Sequence, residues 1–414
     1  MDRHSVLLVG LLGACIPAAP EGASFEPPPP PTVTRDAGQE EMMAPPRDGG
    51  IAPKPDAGFV DAGTVMRDGG PRDGGVVPPS GLPVLGNGQH TLDAVIATTI
   101  ADTSVGHDRP TDLAFNPTRA NELWVVNQGD NTVWIATSPG ESNQSAVWRG
   151  GRTIGRHFLP RPSGIAFGDA GDFATIHEED RITQPTTPGD FMGPTLWPSN
   201  LSIFDGGHAG HIDMLHNTPN GMGIAWESGN AYWVFDGYHA SITRYDFRRD
   251  HGPGGSDHSD GHIVRYAEGQ VSRIEGVPSH LVFDATTRTL YIADTGNNRI
   301  ATLDTESGSR GGSIQPNYDG VTQYAMTGAA LGTFVDGASN GLAAPSGLEL
   351  HDGHVFVGDN ANGIISAFSM DGELVDWLDT ALPAGALTGL AFDASGRLYY
   401  LDAIGGRVLR VAER

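Results

Sequence analysis

Histidine and aspartate gather in two stretches of this chain, and together they are the residue types best suited to hold a divalent metal. The first stretch sets His208, His211 and His216 among Asp205 and Asp213. The second, RRDHGPGGSDHSDG from Arg248, offers Asp250, His251, Asp257, His258 and Asp260. Imidazole and carboxylate donors in combination suit zinc, nickel, manganese or iron. Their spacing follows no strict ligand motif of the His-Glu-x-x-His kind. The competing reading is a solvated polar loop in an acidic protein, with Asp and Gly making turns and His capping them. On the metal reading His251, Asp257 and His258 are the first ligand candidates, and His208, His211 and His216 form the second group. The cofactor expected on that reading is one divalent metal, zinc or calcium.

These stretches interrupt a repeating pattern. An apolar strand, a turn, an aromatic-rich strand and a third strand recur in six copies, opening at Pro110, Pro162, Pro219, Pro278, Pro345 and Leu387. In the copy PSHLVFDATTRTLYIADTGNNRI, apolar β-formers alternate with Asp, Asn, Gly and Thr, the chemistry of hairpins. One such unit cannot bury its own faces, so its recurrence every 40–50 or so residues predicts propeller blades. The fold expected is all-β, a six-bladed β-propeller. Residues 91–100 read as a strand ahead of the first full copy, while the last copy ends after three strands. The early strand is therefore expected to become the outer strand of the final blade and close the ring.

The repeat separates structural residues from candidate functional ones. Asp236, Asp294, Asp359 and Asp402 each end a second strand, where a carboxylate can accept N–H bonds from the following turn. A group needed in every blade serves the fold; a group that breaks the pattern is the better functional candidate. Asp112, Gly164, Gly221, His280, Gly347 and Gly389 align at one position, and His280 there is expected near the central channel. His177, with Glu178 and Glu179 behind it, departs from the pattern in the second copy, and Asn220 is a further channel candidate. The long insertion 181–218 contains an apolar FMGPTLW run and reads as a loop packed over one face of the ring.

The copies resemble NHL-repeat β-propellers over about residues 92–414, and YIADTGNNRI from Tyr291 is close to that family's central motif. The resemblance implies the fold and leaves function open, because such propellers serve as binding modules and as enzymes. Similarity to the peptidyl-amidating lyase would imply a metal-binding His just after the blade-opening proline in several blades. Thr111, Ser163, Asn220, Ser279, Ser346 and Thr388 stand there instead, so that mechanism does not carry over. Asn220 and Gly221 resemble the Asn-Gly element of gluconolactonase-type propellers, and Asp294 resembles their Asp ligand, but the opening Glu of that family is missing.

The chain begins with a short apolar stretch ending in LGAC, which resembles a bacterial lipobox and contains the only cysteine, Cys15. Residues 1–15 therefore read as a lipoprotein signal, with Cys15 the lipidated residue of the mature chain. Ile16 after the cysteine looks like an outer-membrane address. Residues 16–85 are rich in Pro, Gly and Asp, with Asp-Ala-Gly and Asp-Gly-Gly repeats and little that could form a core. They read as a disordered tether ahead of a propeller at 86–414. With 25 basic against 50 acidic residues, the net charge of −25 disfavours nucleic acid, which needs clustered Lys and Arg. The expectation is a monomeric, extracytoplasmic protein, anchored to the membrane by lipid, that binds an envelope protein, a peptide or a glycan. The alternative is a metal-dependent lyase or hydrolase with its site at the mouth of the ring.

Overall fold

The computed structural model describes residues 81–150, 158–180, 192–204 and 210–414. The chain divides into two units, Met1–Arg72 and Asp73–Arg414, and all described residues belong to the second. Cys15, the signal at 1–15 and nearly all of the expected tether lie outside the described residues. The tether boundary moves, however: Pro83–Leu85 forms a short 3-10 turn, Leu85 is fully buried, and the Leu82 N–H donates to Asp376 at 2.7 Å. The ordered domain thus begins before residue 86.

Six antiparallel sheets form the blades. Blade one comprises Pro110–Phe115, Glu122–Asn127, Thr132–Thr137 and Ser145–Gly150. Blade two comprises Pro162–Phe167, Phe173–His177, Thr195–Trp197 and Asp213–Met214. Blade three comprises Gly221–Ser228, Ala231–Asp236, Ser241–Asp246 and His262–Tyr266. Blade four comprises Leu281–Asp284, Thr289–Asp294, Arg299–Asp304 and Leu331–Asp336. Blade five comprises Pro345–His351, His354–Asp359, Ile364–Ser369 and Leu374–Asp379. Blade six takes Leu387–Phe392, Leu398–Asp402 and Arg407–Ala412 from the end of the chain and Ile96–Ala101 from its beginning. Ile96 pairs with Ala412 and Ala101 with Val408, so the ring is closed as the sequence predicts, with residues 92–94 forming a 3-10 turn instead of strand.

Apolar side chains fill the seams between blades. Trp124, Phe173, Trp197 and Phe204 are all fully buried between blades one and two, and Trp124 and Phe173 lie 4.9 Å apart. Each such aromatic contributes on the order of 2–3 kcal/mol by leaving water. Toward the axis the inner strands come too close for side chains at one position: a Cβ on Gly223 would collide with the Ser279 carbonyl, and one on Gly347 with that of Thr388. Three of the hallmark aspartates are turn-makers, as expected: Asp236 accepts from His239 N, Asp359 from Ala361 N and Asp402 from Gly405 N. Asp294 instead accepts from Ser272 N, in the loop leading into its blade, and from Arg299 Nε, each at 2.7 Å.

Two expectations are corrected, and one element is new. Where the insertion after Asp180 is expected to be a loop over one face, its described parts include the two outer strands of blade two, of three and two residues and too short to show a period in sequence, and the short helix Leu201–Phe204. In blade three the strand opens at Gly221, which pairs with Asp236 as Pro110 pairs with Asn127. Gly223, not Gly221, therefore occupies the position of Asp112, and Met222, not Asn220, follows the blade-opening residue. Pro219 misleads because Asn220, at φ 53°, still belongs to the turn. Finally, the connection between the third and fourth strands of blade four carries a hairpin, Ser309–Arg310 and Thr322–Thr327, whose second strand adds in parallel to the outer strand of blade three. It stitches those two blades together outside the seam.

Closure by Ile96–Ala101 caps the otherwise bare edge of blade six and buries Ile100 and Ala101. Deleting residues 86–101 is expected to lower the thermal midpoint by more than about 10 °C, the effect of several kcal/mol in a domain of this size. Differential scanning calorimetry showing an unchanged midpoint would contradict the closure.

Candidate functional site

The inner strands of all six blades run toward the same end of the axis and surround a cavity of about 470 Å³. Partly exposed aromatic side chains ring its mouth: Phe115, Phe167, Trp226, Phe283 and Phe392, one from each blade but the fifth, where Leu350 takes the place. Each is the third residue after the close-packed position, so the strand register itself builds the collar. Below it, two blades replace the small residue of that position. Blades one and four stand opposite each other in the ring, and Asp112 of one meets His280 of the other across the axis, Oδ1 to Nδ1 at 3.6 Å.

Both groups are anchored. Asp112 Oδ2 accepts the Ile165 N–H at 2.9 Å and Oδ1 the Leu113 N–H at 2.8 Å. His280 Nε2 lies 3.3 Å from the Ser163 carbonyl oxygen. A third group, Glu349, stands where the other blades have Ala114, Ala166, Ala225, Val282 and Ala391. Its carboxyl makes no hydrogen bond among the described residues. Burial, and secondarily the charge of Asp112, push it from the ordinary 4.5 up to about 8. Burial also raises Asp112, against the pull of His280. At neutral pH Glu349 therefore keeps its proton and is a donor facing the cavity. The sequence reading singled out His280 but missed Glu349; a lone acid at a position otherwise held by Ala or Val was the available signal.

The other channel candidates lie at the opposite end of the ring or within the sheets. His177 occupies the hallmark aspartate position of blade two, its Nδ1 3.0 Å from the Gly193 carbonyl oxygen and its Nε2 3.0 Å from Thr175 Oγ1. Burial lowers it to about 4, so it is a neutral packed histidine. Glu178 is a buried knot: it accepts from Gln128 Nε2 at 3.0 Å, Arg273 Nη1 at 3.1 Å and the Gly276 N–H at 2.7 Å, and pairs with Arg161. Gly276 also accepts from Arg109 Nη2 at 3.0 Å, so the loop between blades three and four crosses the end of the axis away from the mouth. Asn220 lies at that same end, its N–H donating to the Glu179 carbonyl.

The histidine-rich stretches converge in part. His251 and His258 come together with Asp213, one ligand atom of each lying within 4.8 Å of the others. Asp257, an expected ligand, is exposed instead and is held by the Ser259 N–H and hydroxyl. His211 packs edge-on to His251 at 5.1 Å and stacks on Phe158 at 4.1 Å. His216 turns away, its Nδ1 2.6 Å from Asp319 Oδ1. His208 lies outside the described residues. The triad sits on the outer strand of blade two, three strand spacings or roughly 14 Å from the inner strand. A Gly-x-Ser-x-Gly pattern does occur, at 337–341, where it forms a capped turn with Ser339 exposed and bonded to Asp336.

No protein-family profile and no curated relative matches the sequence. Solved structures do. An auxiliary nutrient binding protein from Bacteroides thetaiotaomicron is 12% identical, with 77% of each chain covered and a TM-score of 0.50. One from Bacteroides ovatus is 16% identical over 77% of this chain and 76% of that one, with a TM-score of 0.49. A luciferin-regenerating enzyme is 13% identical over 77% and 95%, with a TM-score of 0.47. At such identities the likeness is one of fold, and the fold is the six-bladed β-propeller.

The raised Glu349 carboxyl makes stability depend on pH with a definite sign. The unfolded chain releases this proton near 4.5, whereas the folded chain keeps it to about 8. Its contribution is thus fully present at acid pH and is lost as pH rises through about 8. Glu349→Gln is expected to be more stable than wild type at pH 9 by roughly 1–3 kcal/mol, after allowing for water in the open mouth, and indistinguishable at pH 4. Urea titrations at the two pH values check this, and equal differences at both would contradict it.

Proposed function

We propose that the protein is an extracytoplasmic binding module, lipid-anchored through Cys15, that takes the end of a glycan into the axial mouth. The carrying observation is the aromatic collar above Asp112, His280 and Glu349, at the end of the axis opposite the one crossed by the loop between blades three and four. Partly exposed rings offer apolar surface for sugar C–H groups, while a proton-bearing Glu349 and an acceptor Asp112 answer hydroxyls. A cavity of about 470 Å³ suits a small terminal saccharide unit and falls in the usual range of ligand pockets. A cationic peptide end is the weaker fit, because Glu349 is neutral near pH 7 and His280 faces Asp112. The Bacteroides thetaiotaomicron propeller is described as nutrient binding, in keeping with a binding role on this fold. The NHL-like motif at Tyr291 agrees with the architecture and adds nothing about the ligand.

The second reading, a lyase or hydrolase at the mouth, draws on Glu349 as a group able to give up a proton near neutral pH. It finds no metal-ligand set at the mouth among the described residues, since the triad stands at the rim.

Saturation-transfer NMR against a panel of oligosaccharides and cationic peptides tests the proposal. Saccharide binding is expected, weakened at least about tenfold, or 1.4 kcal/mol, by Trp226→Ala and by Glu349→Gln. Binding of peptides alone, or saccharide binding indifferent to both substitutions, would overturn it. Cleavage of the saccharide during the measurement would favour the second reading.

A further inference from the structure

We infer that Asp213, His251 and His258 form a zinc-type metal site that clasps blade three to the outer edge of blade two. Asp213 lies in the outer strand of blade two, and both histidines lie in the loop joining the third and fourth strands of blade three. That loop leaves blade three at the mouth end and folds back over its neighbour, where the His251 N–H donates to the Ile212 carbonyl at 3.0 Å.

Two polar atoms at the meeting point are buried and have no hydrogen-bond partner among the described residues: Asp213 Oδ2 and His251 Nε2. Asp213 is only 1% exposed. Its other oxygen accepts the Met214 N–H at 2.7 Å and lies 2.8 Å from His258 Nδ1. His251 Nδ1 is engaged by the Gly252 carbonyl oxygen at 2.6 Å, which makes Nδ1 the protonated nitrogen and leaves Nε2 with its lone pair. This is the second-sphere contact that orients a ligating imidazole. A hydrogen-bonded loop anchor would need only the Asp213–His258 pair; it gives no account of a carboxylate oxygen and an imidazole nitrogen both turned inward without partners.

The donor set chooses the ion. Two imidazoles and one carboxylate suit zinc, with cobalt or nickel able to substitute, whereas calcium takes six to eight oxygens. Ligand atoms within 4.8 Å of one another need to draw in toward the spacing of about 3.4 Å set by bonds of 2.0–2.1 Å at tetrahedral angles, a movement open to a loop. The glycines at 252, 254 and 255 let that loop turn tightly around His251. The role is structural, since the site lies on the rim and joins two blades. It stands apart from the glycan reading of the mouth, and either can fail alone.

The test uses the full chain, purified without a polyhistidine tag and stripped with chelator. Titration with zinc, followed by elemental analysis after dialysis, is expected to give one ion per chain with submicromolar affinity and a rise of several degrees in the thermal midpoint. Cobalt is expected to give the visible absorption bands of a tetrahedral ion with nitrogen and oxygen ligands. His251→Ala with His258→Ala should abolish both, and Asp213→Asn should weaken binding at least a hundredfold. Asp257→Ala should bind zinc as wild type does, which controls for a general effect of loop charge. Circular dichroism of the variants confirms that they fold. Absence of stoichiometric zinc from the wild type overturns the inference, and so does zinc binding that survives the double substitution.

Discussion

Everything in this domain depends on six small sheets packing face to face around an axis too narrow for ordinary side chains. No sheet could stand alone, because each exposes two apolar faces and gains its stability only when both neighbours cover them. The seams are filled with aromatic and aliphatic residues such as Trp124, Phe173, Ile292 and Leu390, and the ring is complete only because the first strand pairs with the last. The innermost position is left to glycine in four blades, since backbone approaches backbone there.

That constraint is also what makes the mouth informative. Asp112 and His280 break the glycine pattern on opposite blades and fill the axis between them. Glu349 then introduces a carboxyl into a wall otherwise lined by Ala and Val. A desolvated acid without a hydrogen bond among the described residues is a cost to folding, and its place at the axial cavity makes Glu349 a functional-site candidate. At the other end, Glu178 is more deeply buried but is answered by Gln128, Arg161, Arg273 and a backbone N–H. The contrast between a satisfied and an unsatisfied carboxyl singles out Glu349 as the candidate more sharply than position along the chain does.

The architecture was legible in the sequence because it repeats. Six copies of one strand pattern announced the blades, the truncated last copy announced the closure, and recurrence of Asp236, Asp359 and Asp402 announced their turn-making role. What does not repeat was harder to read. The outer strands of blade two are too short to carry alternation, so they passed for a surface loop. Pro219 imitated the blade-opening proline and shifted the register of blade three by two residues. In the rim cluster, His251 and His258 were legible because they share a loop. Asp213 was hidden, because only the packing of blade three on blade two brings it to them; Asp257, nearer in sequence, faces solvent. Glu349 is the odd residue in a column otherwise held by Ala and Val, but one acid in a strand carries no spacing signal of the kind the histidines show.

The most direct test of the central claim, that the ring sets a desolvated acid at its axial mouth, is a carbon-13 NMR titration of glutamate carboxyls in the labelled protein. Glu349→Gln provides the assignment. One carboxyl titrating at about pH 8, and missing from the variant, is the predicted result. Titration of every glutamate in the ordinary carboxyl range near 4.3 would contradict the account.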